Sequence, residues 1–377
     1  MNVKPFILFI IYGLIISSLS CTTKPYIQET VIYDSGTYGY DTFRIPAVVV
    51  SQQGTILAFC EGRKNSRSDT GNIDIVLRRS IDSGRTWSDI EVIWDDGENV
   101  CGNPCPVIDR DTGTIWLLLT HNLGIDHERQ IMAGESTGTR TVWVMSSDDD
   151  GATWSAPREI TSTAKRPGWT WYATGPGVGI QTSGGRLIVP CDYAELASGE
   201  WGSHIIFSDD HGLSWQLGGT VFPQCNECQV VECIDGSLLL NMRSYHKLNR
   251  RAIATSTDGG LSWSGVTHDK VLIEPVCQAS LLRYSPGDNH DRGRVLFSNP
   301  ADTKRIRMTV RLSYDECETW SVSRCLHEGP SAYSCLTVLP DKRIGCLYEK
   351  GTEHPYETIT FVVFNLEWLT RGADSAR

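Results

Sequence analysis

Charged and phenolic side chains recur in this sequence where apolar runs begin or end, and their types suit the holding of an anion. FRIP (43–46) sets Arg44 in a strand-like stretch between apolar neighbours, where a charge is either paired or functional. EGRKNSRSD (61–69) places Arg63 and Asp69 in the loop ahead of another strand-like run. NECQVVE (226–232) offers Glu227 and Glu232, LLLNMRS holds Arg243, and TKRIRMTVRLS contains Arg305, Arg307 and Arg311. GPSAYSCL carries Tyr333 and CLYEKG carries Glu349. Taken singly, such an arginine is usually salt-bridged, such a tyrosine core and such a glutamate solvent-facing. Net charge sharpens the question. At −11, with no basic run, the chain is unsuited to nucleic acid or an anionic membrane surface. It can hold an anion only where cations are gathered locally.

Whether these residues meet depends on the elements that carry them, and those elements repeat. SIDSGRTW (80–87), SDDDGATW (147–154), SDDHGLSW (208–215) and STDGGLSW (256–263) share the pattern S-x-D-x-G-x-x-W, with a worn copy, SYDECETW, at 313–320. Each follows a short run rich in β-branched or aromatic residues, such as DIVLRRS, HIIFS or MTVRLS, and precedes another apolar run. That is the signature of strand, tight turn, strand. The glycine permits a positive φ, the aspartate accepts from turn N–H groups, and the tryptophan is expected to pin the hairpin to its sheet. The serines recur about 58 residues apart, so the ~355 residues after the leader hold about six such units. Units of this size made only of strands predict an all-β, six-bladed β-propeller as a single domain over residues 25–377. The turns also act as a ruler. If all lie on one rim, the residues that begin the incoming strands lie on the other. Asp69 is eleven residues before Ser80, Arg243 thirteen before Ser256 and Arg305 eight before Ser313, so spacing brings these three to one mouth.

The turn pattern resembles the Asp box of the sialidase (neuraminidase) superfamily, a scaffold feature that says nothing of activity. The ordered set FRIP, EGR with its following Asp, NECQVVE leading to NMR, the third arginine and SAYS resembles the bacterial sialidase family from about Tyr33 to Phe364. The resemblance implies a retaining exo-α-sialidase with no cofactor and no metal, acting on sialylated glycoproteins, glycolipids or oligosaccharides. It implies that Arg44, Arg243 and Arg305 hold the carboxylate on the anomeric carbon of sialic acid through bidentate hydrogen bonds, with Glu349 orienting Arg44. Tyr333 is implied as nucleophile, since a neutral phenol avoids the repulsion that a carboxylate would meet beside the substrate's charge. A phenol is weak at neutral pH. Glu227 would therefore take its proton, while Asp69 would protonate the leaving oxygen and then activate water. Family spacing favours Glu227 over Glu232, nearness to the mouth favours Arg305 over Arg307 and Arg311, and Asp74 lies inside a strand, which leaves Asp69. Arg63 is placed in the pocket wall and Asn103, in CGNPCPVID, against the sugar. WTWY (169–172) is expected as an aglycone platform and the polar connection 121–137 as a mouth loop. A trans-sialidase, an intramolecular trans-sialidase and a sialic-acid-binding propeller without turnover stay open, although Tyr333, Glu227 and Asp69 together speak against the last.

Residues 1–21 differ in kind. MNVKPFILFIIYGLIISSLS combines a weakly positive end, a nearly unbroken apolar stretch and small residues before Cys21, the pattern of an export signal. Cys21 after Leu19-Ser20 also resembles a bacterial lipoprotein acylation site, which would make a lipid anchor the membrane contact. The expected location is outside the cytoplasm: periplasmic, outer-membrane-anchored or secreted. With Cys21 set aside, twelve cysteines remain, many inside apolar runs such as AFCEG and IGCLYE, where they read as buried free thiols. Cys225 and Cys228 form a CxxC with no second CxxC or His pair at zinc spacing.

Overall fold

The computed structural model describes residue 1, residues 24–287 and residues 292–376; the export-signal pattern and Cys21 fall outside them. Among the described residues the fold is all-β, with three short helices. Strands follow one another as antiparallel neighbours. Thr42–Val50, Ile56–Arg63, Ile73–Ser80 and Glu91–Trp94 pair in chain order. Val100–Ile108, Ile115–Asn122, Thr141–Ser147 and Arg158–Glu159 do the same. A parallel contact between Ile73 and Val100 merges these two runs into an eight-stranded sheet. A third run takes in Trp169–Thr174, Leu187–Glu195, Trp201–Ser208 and Gln216–Val221. The fourth contains Cys225–Glu232, Leu238–Ser244, Arg250–Ser256 and Thr267–Ile273. The two-residue strand Ile180–Gln181 adds to the third run, and the remaining strands form a seven-stranded sheet. In it the 17-residue strand Val322–Val338 pairs with Ile306–Ser313 through its first half and with Ile344–Lys350 through its second. Ile27–Asp34, from the start of the chain, pairs with the last strand, Thr358–Phe364.

The strands that open three of the runs are almost wholly buried. Thr42–Val50, Val100–Ile108 and Cys225–Glu232 are buried at every residue but the last. Strands covered on two sides lose the alternation of a half-exposed one, so polar residues such as Arg44, Asn226, Glu227 and Gln229 are buried here along with the apolar ones. These strands are not regular, however. Register shifts fall between Arg44 and Ala47, Gly102 and Cys105, Trp169 and Tyr172, Cys225 and Cys228, and Ser331 and Ser334. A β-bulge leaves its extra residue unpaired and redirects the side chain. Ile45, Asn103, Trp171, Glu227 and Tyr333 all fall inside these five bulges, and Ile45 and Asn103 take left-handed φ values of 59° and 51°. One irregularity, repeated in successive runs, therefore re-aims residues at one end of the fold.

The repeated turns close as their sequence implies. Ser80 Oγ donates to Asp82 Oδ1 at 2.9 Å and accepts from Gly84 N at 2.9 Å, and Asp82 accepts in turn from the N–H groups of Arg85 and Thr86. The Ser–Asp contact recurs at Ser147–Asp149, Ser208–Asp210, Ser256–Asp258 and, in the worn copy, Ser313–Asp315. Cys317 there adopts the φ of 72° that glycine supplies elsewhere. The tryptophan differs from expectation: it packs on a neighbouring run as well as closing its own. Ring centroids lie 5.4 Å apart for Trp87 and Phe361, 5.6 Å for Trp154 and Phe59, and 6.4 Å for Trp215 and Trp116. Glycine makes this possible, since a Cβ on Gly212 would stand 2.1 Å from Trp116. The turns are staples between runs.

Of the twelve described cysteines nine are buried and three partly buried, none in a disulfide among the described residues. Cys225 and Cys228 flank the Glu227 bulge, and burial pushes both thiols up.

Candidate active site

The bulges and strand ends deliver their side chains to a cavity of about 260 Å³. Arg44, Arg63, Asp69, Asn103, Glu227, Arg243, Arg305 and Tyr333 all line it, and Glu349 lies fully buried behind. Glu349 is more than a partner for Arg44. One oxygen accepts from Arg44 Nε at 2.8 Å and Ile45 N at 3.0 Å, and the other from Tyr333 N at 3.0 Å. A single carboxylate thus ties together two bulges that lie 288 residues apart in sequence, at Ile45 and Tyr333.

Tyr333 donates its hydroxyl to Glu227 in a short hydrogen bond. Arg243 Nη1 bridges the pair, reaching Glu227 Oε2 at 2.8 Å and Tyr333 Oη at 3.3 Å. Burial pushes the phenol well above its ordinary value, and Glu227 adds to the rise, while Arg243 and Arg305 pull it back. The free protein therefore holds a neutral phenol that is already hydrogen-bonded to a carboxylate. The guanidinium carbons of Arg44 and Arg305 stand 5.1 and 5.7 Å from the centre of the Tyr333 ring. Tyr356 secures both, its ring 4.1 Å beneath Arg44 and its hydroxyl accepting from Arg305 Nη1 at 2.7 Å. Three cations, two on different strands and one just ahead of a third, therefore converge on one phenol in a protein of net charge −11.

On another side of the cavity, Arg63 pairs with Asp69 at 2.7 Å. Asp69 is half-exposed; desolvation by the surrounding cavity raises its carboxyl, but Arg63 and Arg44 outweigh that and hold it below the usual carboxylate value. Glu61 fixes this corner by accepting from Arg63 Nε at 3.0 Å and Asn103 N at 2.9 Å. Asn103 lines the cavity, while its Oδ1 accepts from Thr120 Oγ1 at 3.0 Å.

The competing residues lie elsewhere. Glu232 sits at the far end of its strand and accepts from Ser183 N and Oγ, both at 2.7 Å. Arg307 faces Glu328, Arg311 donates to Asn299, and Asp74 is held by Tyr40 and Lys64. Of WTWY, Trp171 reaches the cavity, whereas Trp169 stacks on Tyr193 at 3.7 Å and Tyr172 is fully buried. Only the third residue of that expected platform is therefore available, because the bulge turns it away from its neighbours. The 121–137 connection contains the helix Glu128–Ala133, which brings Glu128 to the cavity. Sequence reasoning missed Glu61, Arg140, Asp192, Asn226 and Tyr356. Glu61 was discoverable, since residues two apart on a strand share a face and Arg63 was already placed. Asp192 was the charge inside the apolar body of LIVPCDYAE, ahead of the terminal Glu195. Arg140 and Tyr356 precede strands with no distinguishing pattern.

Away from the cavity, ligand atoms of Asp109, Asp111 and His211 lie within 4.8 Å of one another. Gln181 Nε2 already donates to both aspartates, and His211 bonds Asp109.

Residues 54–347 match the model of the BNR repeat-like domain family. The sialidase of Micromonospora viridifaciens is 36% identical over 92% of this chain and 55% of its own, so the chain spans about half the length of that relative. The structure of the Hadza microbial sialidase Hz136 superposes with a TM-score of 0.80 at 32% identity, covering 88% of this chain and 67% of the other. The intramolecular trans-sialidase of Ruminococcus gnavus gives a TM-score of 0.75 at 20% identity, over 90% and 98% of the two chains, a likeness of fold. Repeated turns, re-aimed strand residues and these likenesses agree, and the chain belongs to the sialidase family.

Proposed function

We propose that the protein is an exported, retaining exo-α-sialidase that releases terminal sialic acid from glycoproteins, glycolipids or oligosaccharides. The observation that carries this reading is the Tyr333–Glu227 hydrogen bond inside the ring of Arg44, Arg243 and Arg305. An acidic sugar with its carboxylate on the anomeric carbon suits that ring, because gripping the carboxylate brings the reacting carbon to the phenol. For the scaffold, we read the runs of four strands, with the seven-stranded sheet divided at its long strand, as six blades of a propeller. Pairing of the first strand with the last fits such a wheel.

In the first half-reaction Tyr333 Oη bonds to the anomeric carbon while its proton passes to Glu227, and the leaving oxygen takes a proton from Asp69. In the second, Asp69 removes a proton from water, which attacks the same carbon as Tyr333 departs and recovers its proton from Glu227. Two displacements give net retention. Holding Asp69 ionised in the free protein suits its role as base and obliges it to gain a proton before it acts as acid. The groups named supply every proton and bond, so the scheme calls on no cofactor. Export rests on the leader pattern of residues 1–21.

Incubation with sialyllactose, with products separated by chromatography, tests the reading. Free sialic acid with retained configuration supports hydrolysis. An anhydro sugar or a new sialoside would reassign the protein as a transglycosylase, and absence of any product would leave a binding protein.

A further inference from the structure

Behind the reacting corner stands a wholly buried ion pair that none of these steps uses. Arg251, on the strand Arg250–Ser256, meets Glu274 at 2.8 Å, and both side chains are 0% exposed. Taking two charges out of water can cost more than their attraction returns, unless further hydrogen bonds complete them. Here those bonds run to the segments that carry the proposed chemistry. Glu274 Oε1 accepts at 2.8 Å from the N–H of Ser244, the residue after Arg243. Arg251 Nε donates at 2.6 Å to Oδ1 of Asn241, two residues before Arg243 on the same strand. The pair therefore grips the end of Leu238–Ser244 on either side of Arg243 in sequence.

Its other hold is on the segment that backs Tyr333. Arg251 Nη1 donates to Cys277 O at 2.7 Å. Cys277 is 1% exposed and belongs to one apolar cluster with Ile45, Ala332 and Tyr333. Burial pushes its thiol up to about 11 against the pull of Arg305 and Arg243, so it packs there uncharged. The next residue, Gln278, accepts from Ser334 N and donates to Ser334 O, both at 2.9 Å, directly after Tyr333. Glu349 meanwhile accepts from Tyr333 N. The nucleophile's backbone is thus located relative to Arg44 through Glu349, and relative to Arg243 through Arg251.

We propose that Arg251 and Glu274 are a positioning pair that fixes Arg243 relative to Tyr333, so that the phenol passes its proton to Glu227 from a set geometry. The inference rests on the tyrosyl reading above and adds the device that aligns it. Arg243 Nη1 touches both Tyr333 Oη and Glu227 Oε2, so a shift of its strand end alters both contacts at once. A strut for the fold alone could bond anywhere. The side-chain bonds of this pair end within two residues of Arg243, or on the cysteine packed in the cluster of Tyr333.

Arg251→Met tests this, with Arg294→Met as control. Arg294 is 2% exposed and pairs with Asp374 at 2.7 Å, outside the cavity lining. Each variant breaks a buried pair and should lower the urea midpoint. Turnover of an aryl sialoside per folded molecule should fall roughly ten- to hundredfold in Arg251→Met, but less than about threefold in Arg294→Met. The fall belongs in kcat. Affinity for a non-reacting sialic acid analogue should weaken less than about fivefold, since Arg44 and Arg305 still hold its carboxylate. If Arg251→Met does not fold, Glu274→Gln, which retains an acceptor for Ser244 N, takes its place in the comparison. Equal losses of turnover in the test and control variants, or a loss confined to KM, overturn the positioning role. Tyr333→Phe separates the two levels. Wild-type turnover in that variant sinks the tyrosyl reading and this inference with it; turnover lost there but kept in Arg251→Met sinks the inference alone.

Discussion

Replacing Glu349 by Gln exchanges one carboxylate oxygen for an NH₂ group in a place with no solvent to compensate. The carboxylate serves Arg44 Nε and Ile45 N on one side and Tyr333 N on the other. A glutamine carbonyl can keep the first two donors or the third. Whichever way the amide turns, at least one buried N–H then faces another N–H, at a cost of about 1–3 kcal/mol. Arg44 also loses the charge that pairs with it, and breaking a buried pair from one side costs about 3–5 kcal/mol. The two penalties share the same atoms and overlap. The expected loss of stability is therefore about 3–5 kcal/mol. Activity should fall too, because the same hydrogen bonds locate Arg44 and Tyr333, and a displacement of ~1 Å costs on the order of a hundredfold in rate. Urea unfolding of wild type and Glu349→Gln should show a lower midpoint with an unchanged slope. Turnover of an aryl sialoside, measured where both proteins are folded, should drop about a hundredfold. Stability within ~1 kcal/mol of wild type together with kcat within about threefold would refute the claim that Glu349 ties the two bulges.

Other expectations follow from the same geometry. Glu227→Gln should lower kcat by about a hundredfold or more, whereas Glu232→Gln, at the opposite strand end, should change it less than about twofold; the reverse ranking in steady-state assays would exchange their roles. Asp69 is held ionised by Arg63 and Arg44, so rising pH strips the proton that an unactivated leaving group needs. Accordingly kcat/KM for sialyllactose should decline from the acid side, a good aryl leaving group should flatten the profile, and Arg63→Met should move the decline to higher pH. A profile that ignores the leaving group removes Asp69 as the acid. Gly212→Ala places a Cβ 2.1 Å from Trp116 at a φ of +87°, while Gly36→Ala, at +84°, meets open space. Denaturant titration should find the first about 1–3 kcal/mol costlier than the second, and equal costs would mean that backbone strain alone matters there.

Much of the scaffold was legible because its signal is repeated. Four intact turns and a worn one fix where strands end, and from their spacing Asp69, Arg243 and Arg305 could be brought to one mouth before any coordinates were known. What the repeats could not convey is the bulge that recurs in five of the strands. Strict alternation would direct Glu227 or Tyr333 by parity, yet both lie in register shifts that re-aim them. The role of tryptophan was half visible: its burial could be expected, its partner on another run could not, because inter-run packing depends on three-dimensional proximity. Glu61 was present in the EGR motif and passed over, although its side chain shares a face with Arg63. Tyr356 and Arg140 gave no local sign, since each depends on contacts with residues far away in the chain, Arg44 and Arg305 for one and Trp171 for the other.

Trapping the glycosyl-protein intermediate tests the account most directly. A fluorinated sialosyl fluoride, which slows the second half-reaction more than the first, should leave a sialosyl adduct detectable by mass spectrometry after proteolysis. The account predicts the added mass on the peptide carrying Tyr333, at the phenolic oxygen. An adduct on any other side chain, or complete turnover with none at all while Tyr333→Phe keeps wild-type activity, would contradict it.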